Sequence, residues 1–194
     1  MTREQVAEVA YRRFRDGGFD AVSLRGVAGE VGVTAPALYR IFKGKGDLVA
    51  AGIERGLRHL HTRLTGALVA DEPRERLQRT MSGLLEFALA EPRIYQTLAY
   101  PSKEPGVQEV VNRLHGVVVT VVRFLTDRVR ECMDAEVLRP DSPERVALVL
   151  WSGSHGLIST WLSGHLPLHE CELRELYQEF GRLTVAGVGM RADG

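Results

Sequence analysis

Hydrophobic residues recur along most of this chain with the spacing of an amphipathic helix. The first clear run lies at i, i+3, i+4 and i+7 on one helix face and consists of Leu24, Val27, Ala28 and Val31. Ser23 precedes the run and can cap its first free N–H groups, and Gly32 follows it. Glycine reverses a chain through the left-handed conformation without a Cβ clash. The pattern therefore predicts a short helix closed by a tight turn.

A second short helix is predicted directly after this turn. Thr34 is placed to cap it, and Pro36 lies in its first turn, where a missing N–H costs nothing. Leu38, Ile41 and Phe42 are expected to form its buried side. Two short helices joined by a glycine-containing turn form a helix-turn-helix, whose second helix lies in the major groove of DNA.

The side chains that the second helix would expose are suited to a DNA surface. They are Thr34, Ala35, Ala37, Tyr39 and Arg40, followed by Lys43 and Lys45. Arginine and lysine neutralise phosphates, and hydroxyl groups donate to phosphate oxygens. Small residues let the helix backbone approach base edges. A helical hairpin with another role has the same spacing, so these residues alone leave both interpretations open.

Helical periodicity continues to the end of the chain, interrupted by proline and glycine. The predicted helices outside the helix-turn-helix cover residues 2–16, 46–70, 74–90, 106–134, 143–163 and 170–190, with a short apolar segment at 93–100 and a polar loop at 101–105. The β-branched run at 117–122 resembles a strand, but its length and flanking charges favour a helix. The sequence predicts an all-α fold of about nine helices.

Charge is distributed unevenly, although the net charge of the chain is zero. Residues 1–65 carry 11 basic and 7 acidic side chains, whereas residues 66–194 carry 14 and 18. A basic N-terminal part on an acidic body is typical of a DNA-reading domain joined to another module. The charged N-terminus and the lack of a long apolar run predict a cytoplasmic protein without a signal peptide or membrane span.

The candidate reactive groups have structural explanations. Cys132 and Cys171 lack metal-ligand spacing and are expected to be reduced, buried thiols. His165 and His169 have a zinc-like spacing, but Pro167 between them breaks that helical geometry. We expect no metal and no cofactor.

The segment at residues 153–156 reads GSHG, which invites comparison with a hydrolase. It lacks the G-x-S-x-G spacing, and adjacent side chains on a helix diverge, so the serine and His155 cannot form a nucleophile–base pair. We therefore expect no enzyme. His155 lies one turn from Trp151 and is interpreted either as a polar group at a ligand pocket or as a core histidine. His59 and His61 are expected to be solvated.

The last two predicted helices offer an apolar surface with small residues between bulky ones. Such a surface at the end of a chain can be completed by a symmetry mate as a four-helix bundle. The predicted dimer-interface residues are Gly153, Leu157, Trp161, Leu173, Leu176, Phe180 and Leu183.

The N-terminal quarter of the chain resembles the DNA-binding domain of TetR-family transcriptional regulators. The matching positions are Phe14, Gly18, Val27–Ala28, Val31–Gly32–Val33, Leu38–Tyr39, Phe42, Lys45 and Leu48. Further along, Trp151, His155–Gly156 and Gly164–His165 resemble the C-terminal domain of the subgroup named for its Trp-His-Gly motif.

The resemblance implies a homodimeric, ligand-responsive regulator, which we expect to be a repressor. Residues 1–46 would form the DNA-binding domain, and residues 47–194 the effector-binding and dimerisation domain. Ser23, Thr34, Tyr39 and Lys45 would hold phosphates, and Arg25 would read a guanine. The implied DNA-binding residues are Ser23, Arg25, Thr34, Ala35, Pro36, Ala37, Tyr39, Arg40, Lys43 and Lys45.

The effector implied by the resemblance is a small apolar or aromatic molecule bound in the helical body. The candidate effector-binding residues are Leu84, Ala88, Tyr95, Leu98, Val117, Val121, Phe124, Trp151 and His155. Two alternatives remain, an effector-independent DNA-binding protein and a helical ligand carrier or enzyme. The operator, the effector, the regulated genes and the sign of regulation do not follow from the sequence.

Overall fold

The computed structural model of the chain describes residues 2–100 and 105–188, which form nine α-helices and one 3₁₀ turn. The helices are α1 (Arg3–Ala21), α2 (Leu24–Val31), α3 (Ala35–Tyr39), α4 (Lys45–Gly66), α5 (Pro73–Ala90), α6 (Pro92–Ala99), α7 (Pro105–Asp134), α8 (Pro143–Leu162) and α9 (Glu170–Val188), and the 3₁₀ turn covers Ala67–Val69. The all-α prediction is confirmed, and the β-branched run at 117–122 lies within α7. Of the predicted loop at 101–105, residues 101–104 lie outside the described residues, as does the helix end beyond residue 188, and Pro105 is already the first residue of α7.

The described residues divide into two compact units. The first unit lies within residues 1–61 and 91–118, and the second within residues 62–90 and 119–194. Helices α4 and α7 each contribute residues to both units.

The part of the first unit's core that lies within residues 1–42 is built from α1, α2 and the segment around α3. Its most deeply buried side chains, each with at most 2% exposure, include Val6, Ala10, Phe14, Val22, Val27, Ala28, Leu38 and Phe42. Ser23 caps the start of α2 as predicted, because its Oγ accepts the N–H of Gly26 at 3.1 Å, and the turn between α2 and α3 forms with Gly32 at a left-handed φ of 78°. Two short helices are thereby fixed on one small core.

Three local predictions in this region are wrong. Thr34 occupies the N-cap position of α3, but its side chain makes no capping hydrogen bond. Ile41 is 38% exposed, because α3 ends at Tyr39 and the chain has left the helix before Ile41 is reached. The first helix extends beyond Asp16 to Ala21, although Gly18 interrupts it with a φ of 70°.

Two glycines one turn apart on α4 allow other helices of the first unit to approach its backbone. A Cβ atom at Gly52 would lie 2.8 Å from the backbone nitrogen of Tyr11. A Cβ atom at Gly56 would meet the side chains of Ile94 on α6 and of Tyr11. Because residues at i and i+4 share a helix face, α1 and α6 both pack on the glycine face of α4.

In the second unit, α9 packs against α5 and α8. The Tyr177 hydroxyl donates to the carbonyl of Met81 on α5 at 3.0 Å, and the Phe180 ring covers Gly153 on α8. The Trp161 indole N–H donates to the carbonyl of Leu168 at 2.8 Å, which fixes the connection between α8 and α9.

The two cysteines occupy different environments. Cys132 is completely buried, and burial raises the pKa of its thiol to about 11. Cys171 is exposed near the start of α9, so the prediction of two buried thiols is wrong for this residue.

Candidate nucleic-acid interface

The predicted DNA-binding residues are accessible on the surface of the first unit. Seven of them are exposed, namely Ser23, Arg25, Thr34, Pro36, Tyr39, Arg40 and Lys43, and the other three, Ala35, Ala37 and Lys45, are partly exposed. Tyr39 is 60% exposed, whereas its neighbour Leu38 and the nearby Phe42 are completely buried. A large aromatic side chain that a folded core leaves in solvent is available to a partner.

Lys45 begins α4 beside two residues from the end of α1. Its Nζ lies 3.6 Å from a carboxylate oxygen of Asp20 and 4.3 Å from the centre of the Phe19 ring. The Asp20 side chain is 92% exposed, so this ion pair is strongly screened by water. A second anion such as a phosphate can therefore compete for the ammonium group.

The basic outer face of α1 is paired with an acidic residue of α2. Arg12 and Arg13 lie 2.9 and 3.0 Å from the two carboxylate oxygens of Glu30. Arg15 lies 3.0 Å from Asp16 and 5.6 Å from the Tyr11 ring centre. Each of these three arginines therefore has an ion-pair partner within the protein itself.

A buried carboxylate in the first unit was missed by sequence analysis. Glu91 is 3% exposed, and its Oε1 accepts a 2.5 Å hydrogen bond from the Tyr11 hydroxyl and lies 2.9 Å from His59 Nδ1. Burial, reinforced by Glu91, raises the pKa of Tyr11 to about 12. The His59 side chain is 43% exposed, so it is partly solvated as expected, and it also bonds to this buried carboxylate.

The predicted effector-binding residues fall into both units. Tyr95 and Leu98 belong to the first unit, where Tyr95 is buried and Leu98 is partly exposed. The second unit contains Leu84, Ala88 and Val121, which are buried, and Phe124, Trp151 and His155, which are partly exposed. Val117 lies outside the residues whose side chains the structure describes.

Trp151 and His155 form a stacked pair on α8. Their ring centres are 5.8 Å apart at an interplanar angle of 10°, and His155 Nε2 lies 3.4 Å from Ser159 Oγ. Burial lowers the pKa of His155, because removal from water disfavours the charged imidazolium. Near neutral pH the pair presents a neutral, aromatic surface.

A cavity of about 330 Å³ opens between α5 and α9 in the second unit. Its lining mixes polar and apolar surface in nearly equal parts and consists of Gln78, Met81, Ser82, Tyr177, Gln178, Gly181, Arg182 and Val185. None of the predicted effector-binding residues lines it.

The predicted dimer-interface residues differ in how far their side chains are exposed to a partner. Leu176 and Leu183 are 37% and 56% exposed, and Leu148 and Val149 of α8 add further exposed apolar surface. Leu173 is completely buried within the chain, and the Phe180 ring fills the space above Gly153. Leu173 is therefore removed from the predicted interface, because its surface is already covered, whereas Gly153 is partly exposed and stays a prediction.

The remaining members of the predicted interface, Leu157, Trp161 and Phe180, are partly exposed.

Across residues 2–100 and 105–188, no three His, Cys, Asp or Glu side chains are grouped so that they could hold a metal ion. Every helix in the same ranges is too short or too polar to cross a lipid bilayer.

Comparison with known proteins gives a consistent result for both parts of the chain. Residues 7–51 match the tetR family of bacterial regulatory proteins, and residues 77–181 match the tetracyclin repressor-like C-terminal domain. The HTH-type transcriptional regulator AcrR of Shigella flexneri is 25% identical over 169 residues, covering 83% of this chain and 78% of the relative. The finer resemblance to the Trp-His-Gly subgroup stays a prediction.

Solved structures share the fold at lower identity. A TetR/AcrR-family regulator from Thermobifida fusca superimposes with a TM-score of 0.72 at 20% identity, covering 95% of this chain and 97% of that one. FadR from Bacillus subtilis, in complex with stearoyl-CoA, gives 0.71 at 14% identity, covering 95% and 98%. The sequence matches to both domains, supported by this fold, show that the chain belongs to the TetR family of transcriptional regulators and begins with that family's DNA-binding helix-turn-helix.

Proposed function

We infer that this regulator is a ligand-responsive repressor that binds a palindromic operator as a homodimer and is released by a small apolar molecule. Residues 1–46 would read DNA, and residues 47–194 would bind the effector and the second subunit. The exposed Tyr39, beside the buried Leu38 and Phe42, is the observation that carries the DNA-binding part. Its hydroxyl can donate to a phosphate oxygen while its neighbours fix the orientation of α3.

Base recognition by this surface would be sparse. Ala35, Pro36 and Ala37 offer no hydrogen-bonding side chain, so α3 would contribute close approach and methyl contacts. Arg25, exposed in the first turn of α2, is the candidate guanine reader. Specificity would then depend largely on the shape and deformability of the DNA.

The second subunit would pack against α8 and α9. Leu148, Val149, Leu176 and Leu183 leave apolar surface exposed on these two helices, and such surface marks a contact site. A two-fold axis between the subunits would present two reading helices to successive major grooves and explain a palindromic operator.

The effector would bind among the apolar and aromatic residues of the body. Buried Leu84, Ala88 and Val121 supply an apolar environment, and the neutral Trp151–His155 pair supplies an aromatic wall with one polar edge. The complex of FadR with stearoyl-CoA supports an effector with a long apolar part. Effector binding would move α4 as a lever and alter the separation of the two DNA-binding domains, residues 1–46 of each subunit, which we call the heads. By linkage, DNA and effector would then weaken each other's binding equally.

The experiment is a binding measurement with the full-length protein at stated salt. A duplex would first be selected from a random-sequence library by the wild-type protein, and its affinity for Tyr39→Ala would then be compared with that for Val69→Ala, an exposed residue outside the head. We expect Tyr39→Ala to bind at least about tenfold more weakly, since it loses a phosphate contact and its packing at the backbone. Failure of the wild-type protein to enrich any duplex would refute the proposal.

A further inference from the structure

The turn that carries Lys43 and Lys45 is held by an acidic residue. Asp47 lies in the first turn of α4, where its Oδ2 accepts the backbone N–H of Lys43 at 3.1 Å. Its other oxygen, Oδ1, lies 3.2 Å from Nη1 of Arg113 on α7. One carboxylate therefore joins the turn between α3 and α4 to a third helix of the same unit.

Further contacts between the same elements surround this carboxylate. A Cβ atom at Gly46 would be in van der Waals contact, at 4.0 Å, with the carbonyl oxygen of Gly106 and the side chain of Val110. A Cβ atom at Gly106 would lie 2.8 Å from the Phe19 ring, on which the ammonium of Lys45 rests. The first two turns of α7 thus lie against the start of α4 and against Phe19 of α1.

The position of Asp47 is unfavourable for DNA binding if only charge is considered. A carboxylate beside a phosphate-facing turn repels the phosphates. The Asp47 side chain is only 17% exposed and uses both oxygens within the protein, one on a backbone N–H and one on a guanidinium. Its charge is compensated from the protein side, which fits a residue that shapes the turn without facing the ligand.

We propose that Asp47 and Arg113 are positioning residues for DNA binding, which hold the Lys43–Lys45 turn in its phosphate-binding conformation without touching DNA. This inference rests on the proposed function, in which α4 moves the DNA-binding domain, and it adds α7 as a second helix that influences the same domain. Arg113 lies on the same helix as the candidate effector residues Val121 and Phe124. A rotation or shift of α7 would therefore act on the turn through the Arg113–Asp47 pair.

A positioning role and a purely electrostatic role predict opposite changes in DNA affinity for Asp47→Asn, so this substitution distinguishes them. Removal of a negative charge near DNA should strengthen binding if the charge acts only through space. The substitution keeps an oxygen for the Lys43 N–H but loses the ion pair with Arg113, so a positioning role predicts weaker binding, by about five- to tenfold in Kd. The same loss is expected for Arg113→Gln, and partial recovery for Arg113→Lys, which keeps the charge but not the planar fork.

The control for Arg113→Gln is Arg79→Gln, which removes the same charge from an exposed ion pair with Glu75 on α5. Kd would be measured with the selected duplex across a range of salt concentrations. Loss of a phosphate contact, as in Lys43→Ala, makes the slope of log K against log salt less negative by about 0.9 for each subunit that contacts the DNA. Positioning variants should lose affinity with that slope nearly unchanged and with thermal unfolding close to wild type.

The possible outcomes are distinct. If Asp47→Asn binds as tightly as wild type or more tightly, or if Arg113→Gln behaves like Arg79→Gln, the positioning role is wrong while the proposed function stands. If Arg113→Gln weakens binding and flattens the salt dependence as Lys43→Ala does, Arg113 acts as a phosphate contact or through net charge, and the positioning role is also wrong. If the wild-type protein selects no duplex, the proposed function fails, and the positioning role with it.

Discussion

Tyr11 on α1 and Glu91, the residue before α6, are joined by a 2.5 Å hydrogen bond across a sequence separation of 80 residues. Glu91 also contacts His59 of α4, so one buried carboxylate connects three helices of the first unit. Its second oxygen, Oε2, is buried and accepts no hydrogen bond among the described residues. A carboxylate in this position is costly to bury, and each bond it makes offsets part of that cost.

Removal of the Tyr11 hydroxyl should therefore destabilise the protein. Tyr11→Phe leaves the buried Glu91 with one bond fewer, and we expect the free energy of unfolding to fall by about 1.5–3 kcal/mol, as for hydrogen bonds to charged groups. Urea denaturation of the full-length protein measures this change. Tyr39→Phe is the matched control, because Tyr39 is exposed and its hydroxyl should contribute almost nothing to stability. Equal effects of the two substitutions would show that the buried bond is not stabilising.

Alkaline pH should weaken the fold through the same tyrosine and through Tyr177. The pKa of each phenol is raised from 10.0 to about 12, in both cases mainly by burial. A raised pKa means that the unfolded chain releases its proton first, so the stabilisation is complete below pH 10 and is lost between about pH 10 and 12. Chemical denaturation at several pH values would reveal this decline. Tyr177→Phe should remove roughly half of it, and an unchanged profile in that variant would contradict the prediction.

The glycine face of α4 should be intolerant of even one added methyl group. Gly52→Ala places a Cβ atom 2.8 Å from the backbone nitrogen of Tyr11, which no side-chain rotation relieves. We expect a loss of about 1–3 kcal/mol from this overpacking. Gly66 lies at the end of the same helix with open space at its Cβ position, and Gly66→Ala should be neutral or slightly stabilising. Thermal unfolding distinguishes the pair, and similar melting temperatures would mean that α1 does not pack closely on α4.

A charge on the exposed face of α9 should prevent self-association. Leu183 is 56% exposed, and Leu183→Glu would place a carboxylate in the proposed subunit interface. Sedimentation equilibrium should then report a monomer at concentrations where the wild-type protein is a dimer. Val119→Glu introduces the same charge at a 50% exposed residue of α7 and should leave the dimer intact. A dimeric Leu183→Glu variant would place the interface elsewhere.

The helices and the small core of the head could be predicted because they depend on local spacing. Leu38 and Phe42 are completely buried as expected, and Gly32 adopts the predicted left-handed turn. The prediction that Ile41 is buried is wrong because periodicity assumes that a helix continues, whereas α3 ends two residues earlier. Where a helix ends is decided by contacts that the local sequence does not contain.

The interactions between distant segments could not be predicted in the same way. Glu91 precedes a proline and reads as an ordinary break between helices, yet its side chain binds Tyr11 and His59. Leu173 fits the spacing of an interface leucine, but α9 turns it inward. Periodicity gives the apolar face of a helix but does not say whether that face meets the same chain or a second subunit.

Glu91 has one further consequence, for the dynamics of α6. It occupies the N-cap position, but its carboxylate is used by other helices and leaves the first turn of α6 without a side-chain cap. Uncapped turns fray first, so amide hydrogen exchange in this helix should begin at its N-terminal end. An opening that displaced the Glu91 carboxylate would break its bonds to Tyr11 of α1 and His59 of α4. Fluctuations at this one residue would then reach α1, which packs against the DNA-binding helix-turn-helix, before any effector has bound.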